Sequence, residues 1–249
     1  MNLTYLRIDL VRQLRDVANV AFVVGLPVAM YIIFGSTFGA GGESAGNGNV
    51  RFYVMTSMAV YGASVATTSV AGMAAIELMQ GWGRQLGLTR MRPTGYVATK
   101  VVVALTVAGG GVTAVYVAGA LTGARADTPW VWVSTFLIAW LGSALFAMYG
   151  LAVAQTFKSE SAVSVAAAGL VLLAFFGNLF VTLSGTMLEV ARFTPMYGYA
   201  GLMRYPLTEG TTVGGSDDSL PMLILNYVVW AVVFATVAIW ATRRGRNRL

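Results

Sequence analysis

Polar and charged residues are concentrated in one segment of a largely apolar chain, residues 77–100, which read ELMQGWGRQLGLTRMRPTGYVATK. Its charged residues are Glu77, Arg84, Arg90, Arg92 and Lys100. Guanidinium groups pair well with carboxylates, and the rings of Trp82 and Tyr96 suit a membrane–water boundary. These residue types predict recognition of an acidic protein partner. The alternative is that the arginines only neutralise anionic lipid at a cytoplasmic surface.

The residue inventory excludes most catalytic chemistry. The chain has no cysteine and no histidine, so thiol nucleophiles, histidine general bases and Cys/His metal sites are excluded. A GxxxxGK[ST] motif, which would hold the phosphates of ATP, does not occur. We therefore expect no enzyme activity and no cofactor bound by this chain. If the protein moves a solute, its energy arrives from another polypeptide.

A stripe of hydroxyl groups forms a second pattern. Its members recur at spacings of four, three and four residues, which places them on one face of a helix: Ser57, Tyr61, Ser64 and Thr68. A polar stripe in lipid must face protein or a cavity. The stripe therefore predicts part of a path for a solute, and the alternative is that small hydroxyls only allow close helix packing.

Asn178 is a polar residue within a Phe-rich stretch that includes Phe175, Phe176 and Phe180. An unpaired amide is costly to bury, so the position favours a functional role. We interpret Asn178, Phe175 and Phe180 as the second wall of the path. The phenylalanines form either a gate or part of the core.

Membrane-spanning helices must position these residues. The chain is 57% hydrophobic and 10% charged, whereas an ordinary soluble domain has about 25% charged residues. A span needs about 20 mostly apolar residues. Six such runs are predicted within a single all-α integral membrane domain covering residues 1–249, and none has an ionisable residue in its central part: 17–38, 53–76, 97–123, 131–155, 162–184 and 220–242.

The first 16 residues, MNLTYLRIDLVRQLRD, precede the first apolar run. Leucines recur in them at helical spacing, which predicts an amphipathic helix lying on the membrane surface. Its interspersed basic residues are Arg7, Arg12 and Arg15.

The distribution of Lys and Arg predicts the topology. With the N-terminus in the cytoplasm, only four of the 16 basic residues lie outside, and these are Arg51, Arg125, Arg192 and Arg204. Both termini are then cytoplasmic, and residues 77–96 form the cytoplasmic loop between spans two and three. The outer loop GAGGESAGNGN is predicted to be flexible. The outer segment 185–219 is predicted to form short re-entrant helices that dip into the membrane surface.

The loop between spans two and three resembles that of the permease subunits of ABC-2 type exporters, also called type V ABC exporters. The family pattern has an acidic residue, a Gly, then basic, Leu, Thr and Pro residues ending in Lys. The residues that stand here in similar order are Glu77, Gly81, Trp82, Arg84, Gln85, Leu86, Leu88, Thr89, Pro93, Tyr96 and Lys100. Arg90 stands where a Pro is common. The segment FTPMYGYAGLMRYPL is similar to the outer re-entrant region of bacterial members.

The resemblance implies a division of labour. Two permeases pair, as two copies of this chain or with a homologue, and two separate ABC ATPase subunits bind ATP and Mg²⁺ beneath them. The surface helix and the loop transmit ATP-driven closure. The implied ATPase-coupling residues are Glu77, Gly81, Trp82, Arg84, Gln85, Arg90, Arg92, Pro93 and Tyr96.

The expected setting is a bacterial cell membrane, with lipid as a partner and no nucleic acid, because the basic residues flank apolar runs. A path without charges predicts an amphipathic or hydrophobic solute, such as a drug, a peptide antibiotic or a lipid. The alternatives are a non-transporting subunit for antibiotic sensing or immunity, and a haem-exporter-type permease. A proton-driven carrier is disfavoured because the span interiors lack ionisable groups. Sodium held by carbonyl and hydroxyl oxygens stays open as an alternative.

Overall fold

The structure is a computed structural model, and it describes residues 3–38, 43–77, 80–81, 93–157, 161–211 and 217–246. In these ranges the chain is helical and has only isolated β-bridges, so the all-α prediction is confirmed there. The helices are α1 (Leu3–Arg15), α2 (Val17–Phe38), α3 (Val50–Glu77), α4 (Pro93–Leu121), α5 (Pro129–Gly142), α6 (Ala144–Phe157), α7 (Ser161–Phe176), α8 (Gly185–Ala191), α9 (Pro195–Thr208) and α10 (Leu220–Arg246).

Helix α3 is the centre of the bundle. In the most apolar 18-residue window of its stretch Val50–Met73, 89% of the residues are buried, and α2, α4, α6 and α7 all pack against this helix. Small residues allow this close approach. A Cβ added to Gly62 of α3 would lie 2.5 Å from Cγ of Pro27, and one added to Gly150 of α6 would lie 2.6 Å from the carbonyl oxygen of Thr68. The Gly contacts therefore set the spacing of the helices around α3.

Five helical stretches of the described chain are long and apolar enough to cross a membrane. They are Val17–Phe38, Val50–Met73, Thr94–Leu121, Pro129–Phe157 and Leu220–Ala241. The fourth consists of α5 and α6, which meet at Ser143. Only 17% of the residues in the apolar window of the first stretch are buried, and only 11% in that of the last. Such outward-facing apolar helices are suited to contact with lipid rather than water.

The predicted fifth span, 162–184, is not confirmed at that length. Helix α7 has 16 residues and ends at Phe176, so it is roughly 24 Å long, whereas the hydrocarbon core is about 30 Å thick. Asn178 follows in the left-handed region, with φ of 57°. Its N–H bonds the carbonyl of Phe175, and the N–H of Leu179 bonds that of Ala174. These bonds form a Schellman motif, which ends the helix.

The segment between α7 and α10 contains two short helices, α8 and α9, joined to α10 by polar contacts. Arg192 pairs with Glu189 and with Asp218, at 2.8 and 3.1 Å, and Asp218 also accepts a bond from the hydroxyl of Tyr197. The side-chain amide of Asn226 donates to the carbonyl of Arg192 at 2.7 Å. These bonds fix the segment on the end of the bundle, and its re-entrant placement in a membrane stays a prediction.

Residues 43–49 belong to the outer loop that was predicted to be flexible, yet hydrogen bonds join them to the last turn of α9 and to the loop between α4 and α5. The N–H of Asn47 bonds the carbonyl of Leu207 at 2.7 Å. The side chain of Asn49 donates to the carbonyl of Gly123 and accepts from the N–H of Arg125, each at 3.0 Å. A polar Gly-rich sequence predicted flexibility, but the two asparagines supply enough donors and acceptors to hold this loop against the end of α9 and the loop between α4 and α5.

Candidate functional site

A cavity of about 660 Å³ opens at the end of the bundle that the predicted topology places outside. Its walls are the last turns of α2, the first turns of α3 and residues 178–182, and residues 43–46 line its rim. Thr208 and Thr211 complete it. The lining combines aromatic rings with hydroxyl and amide groups, which is typical of sites for organic ligands of this volume.

The structure brings several predicted path residues together at this cavity. Ser57, Asn178 and Phe180 line it. The ring of Phe180 meets the rings of Tyr61 and Phe175 edge to face, with centroids 5.0 and 5.4 Å apart. The five residues therefore form one aromatic and polar wall, although α3 carries two of them and the end of α7 and its following turn carry the others.

The other two residues of the hydroxyl stripe lie elsewhere. Ser64 is fully buried and donates to the carbonyl of Val60 within its own helix at 2.8 Å. Thr68 donates to the carbonyl of Phe146 at 3.3 Å, at the point where Gly150 approaches α3. Neither lines the cavity. For Ser64 and Thr68 the contacts agree with the packing alternative.

Both the backbone and the side chain of Asn178 accept hydrogen bonds. Its Oδ1 accepts the N–H of Leu183 at 2.8 Å, which closes the turn after α7. Its carbonyl oxygen accepts a bond from Arg204 at 2.9 Å. Its place at a helix end, rather than inside a span, could have been predicted from the Gly177–Asn178 pair, because these two residue types favour the left-handed C-terminal position.

Arg204 of α9 is the residue that the sequence analysis missed. It is 7% exposed, and its Nη2 donates to Oγ of Ser57 at 2.8 Å and to the carbonyl of Asn178. Its guanidinium lies 4.6 Å from the centroid of the Tyr53 ring, a cation–π contact. The fold therefore turns an arginine of the outer segment inward, against three residues that line the cavity, and the expectation of a path without charges stays a prediction.

A cluster of charged residues lies at the opposite end of α3. The ammonium group of Lys100, which is fully buried in α4, lies 2.9 Å from a carboxylate oxygen of Asp9 and 2.7 Å from one of Glu77. Arg12 of α1 pairs with the same Glu77 carboxylate at 2.9 Å. The cluster therefore joins the surface helix, the central helix and the following span at one point.

Helix α1 confirms the helical prediction, but its inward face is more polar than its leucine spacing suggested. Asp9 and Gln13 are buried, whereas Leu14 is 51% exposed. Arg7 and Arg15 are exposed. The inward face turns toward Lys100 because burial of that cation requires nearby carboxylates.

Two tyrosines complete the charged cluster. The rings of Tyr5 and Tyr96 each lie 5.9 Å from the Lys100 ammonium group. Burial raises the pKa of the Tyr5 phenol, and the negative charges of Glu77 and Asp9 raise it further. The phenol therefore stays neutral, and both rings present π-electron density to the cation.

Most of the predicted coupling loop lies outside the described residues, including Trp82, Arg84, Gln85, Arg90 and Arg92. Of its described members, Glu77 ends α3, Gly81 has φ of +89° with open space where a Cβ would be, and Pro93 begins α4. Proline is favoured in the first helical turn because it has no N–H to satisfy there.

The chain matches no protein-family model, and no curated protein matches it either. The resemblance to ABC-2 permeases therefore stays a prediction from the sequence.

Proposed function

We propose that this chain is the transmembrane permease subunit of an ATP-driven ABC exporter of the ABC-2 type. It moves an amphipathic solute out of a bacterial cell, and ATP is hydrolysed by two copies of a separate ATPase subunit. A second permease, identical or homologous, completes the transporter. Both termini and the loop at residues 77–96 face the cytoplasm.

The observation that carries this proposal is the continuity of α3. Its first turns contribute Tyr53 and Ser57 to the cavity and its surroundings, and its last residue, Glu77, belongs to the charged cluster. The helix has 28 residues, so it is roughly 42 Å long. A movement imposed at Glu77 reaches the cavity through one packed helix, which supports energy supplied at one end and solute handled at the other.

The ion pairs determine which helices move together. An ATPase that docks on residues 77–96 acts next to Glu77. Because Glu77 is paired with Arg12 and Lys100, α1 and α4 move with the end of α3. The three helices then shift as a unit, and the packing around α3 changes at the cavity.

The decisive experiment is co-expression of this chain with a soluble P-loop ATPase encoded by an adjacent reading frame. We expect the two to co-purify and to move a fluorescent amphiphile into inside-out vesicles only with ATP and Mg²⁺. Flux that instead follows a proton gradient without ATP would refute the proposal. A stable complex that hydrolyses ATP but moves no solute would favour a sensing or immunity subunit.

The docking surface is tested separately with the variants Trp82→Ala and Arg84→Ala. Each is expected to reduce recovery of the ATPase with the permease, because the proposed contacts are an aromatic anchor and an ion pair. The matched control is Arg125→Ala, which removes an exposed arginine from the opposite end of the bundle. Undiminished recovery and ATPase activity in both loop variants would exclude this surface.

A further inference from the structure

Arg204 is a buried cation without a carboxylate partner among the described residues. Its two hydrogen bonds go to a hydroxyl and to a backbone carbonyl, both neutral acceptors, and its buried Nε has no hydrogen-bond partner there. A buried charge is costly unless it is paired. The contact with the Tyr53 ring offsets part of that cost, but it supplies no anion.

The buried carboxylates of the described chain are engaged elsewhere. Asp9 and Glu77 pair with Lys100 at the far end of α3. Asp218 lies nearer to Arg204, but its two oxygens are taken by Arg192 and Tyr197. Glu43 at the cavity rim is exposed, so water screens its charge. Arg204 therefore has no ion-pair partner within the described chain, although Asp218 lines the same small pocket.

Arg204 lies directly behind the cavity wall. The residues it contacts, Tyr53, Ser57 and Asn178, all line the large cavity. A second pocket of about 30 Å³ adjoins Arg204 and shares Tyr53, Asn178, Thr208 and Thr211 with the large cavity. The two pockets meet at Tyr53 and the threonines, with the guanidinium lining the small pocket and the apolar rings of Phe34 and Phe180 lining the large cavity.

We infer that the cavity binds amphiphiles with an acidic headgroup, and that Arg204 is the residue that recognises the acid. This inference rests on the proposed function, because it names the class of solute that the exporter handles. Guanidinium groups bind carboxylate and phosphate oxygens in a planar, two-pronged manner. Thr211 lines both pockets, and its hydroxyl supplies a further donor, whereas the hydroxyls of Ser57 and Thr208 already donate to the carbonyls of Tyr53 and Arg204. The acid replaces the missing counter-charge, so binding is selective for anions.

The test uses the purified chain in phosphatidylcholine nanodiscs without any ATPase. Equilibrium binding of radiolabelled dodecanoate, dodecanol and dodecyltrimethylammonium is compared, and binding to empty nanodiscs is subtracted. We expect dodecanoate to bind most tightly. Arg204→Met is expected to weaken dodecanoate binding by roughly tenfold or more, as for the loss of a charged hydrogen bond, and to leave dodecanol unchanged. Arg204→Lys should retain part of the preference.

The matched control is Arg125→Met, which removes an exposed cation at the same end and should leave all three affinities unchanged. Equal affinities of the unsubstituted chain for the three amphiphiles would overturn the inference, whether or not Arg204→Met folds. So would dodecanoate binding that survives Arg204→Met. If inorganic phosphate competes as strongly as unlabelled dodecanoate, the site binds simple anions. That result would overturn the inference that the cavity binds amphiphiles. Because no ATPase is present, failure of ATP-driven flux refutes the transport proposal independently of this result.

Discussion

The guanidinium of Arg204 donates a hydrogen bond to Oγ of Ser57 across 2.8 Å, although the two residues are 147 positions apart in the chain. This bond fastens the short helix α9 to the central helix α3 beside the cavity of about 660 Å³. The hydroxyl stripe on α3 therefore makes two kinds of contact. Ser57 at one end accepts a hydrogen bond from a cation, and Thr68 at the other end donates one to the carbonyl of Phe146 in the neighbouring helix α6.

Lys100→Met should destabilise the protein strongly. The change leaves Asp9 and Glu77 buried side by side without the cation between them, and breaking a buried pair in this way costs about 3–5 kcal/mol. Thermal unfolding of the detergent-solubilised chain, followed by tryptophan fluorescence, measures the effect. The control is Arg12→Ala, which removes another partner of Glu77 whose side chain is 46% exposed. Its expected cost is about 1 kcal/mol or less. Similar losses in both variants would contradict the central role of Lys100.

Gly150→Ala should push α6 away from α3. The added Cβ would lie 2.6 Å from the carbonyl oxygen of Thr68, and overpacking of this kind costs about 1–3 kcal/mol. A lower unfolding temperature is the expected readout. Gly110→Ala is the matched control, because a Cβ there meets nothing within 4 Å. If Gly110→Ala is as harmful as Gly150→Ala, helix contact is not the cause.

Asn178→Leu should cost more stability than Asn178→Gly. Leucine is strained at φ of 57°, by about 1–2 kcal/mol. Both variants lose the acceptor for the N–H of Leu183, but glycine keeps the backbone conformation that ends α7. Unfolding temperatures of the two variants, compared with the unsubstituted chain, separate these effects. A leucine variant as stable as the glycine variant would argue that the turn can relax.

Gly46→Ala should loosen the junction of the outer loops. Position 46 has φ of +59°, and a Cβ there would lie 2.2 Å from the carbonyl oxygen of Leu207. Gly185→Ala introduces the same backbone strain, with φ of +58°, but meets open space. We expect faster proteolysis of residues 43–49 in Gly46→Ala alone. Equal proteolysis in the two variants would attribute the effect to backbone strain rather than to the contact with Leu207.

Helix existence and type were predictable, whereas some ends were not. Long apolar runs allow little but helix in lipid, since every backbone polar group must be paired internally. The end of α7 was misjudged because residues 177–184 still contain four large apolar residues, which extend the apolar run: Leu179, Phe180, Val181 and Leu183. There the backbone preference of Gly177 and Asn178 outweighed hydropathy.

The candidate site was predictable in part for a similar reason. Ser57, Asn178 and Phe180 were chosen as polar or aromatic residues in apolar surroundings, and the structure places them around one cavity. Arg204 was counted among outer-loop cations, because a sequence does not show which way a short helix between two spans will turn its side chains.

By itself the sequence determined that this is a helical chain with several helices fit to cross a membrane, because composition and run length leave no other way to satisfy backbone groups. It also determined that the chain carries no Cys, no His and no P-loop. Only the tertiary structure decided that Lys100 lies between Asp9 and Glu77, and that Arg204 lies behind the cavity. Charge pairing depends on distances between residues far apart in the chain, and packing around α3 sets those distances.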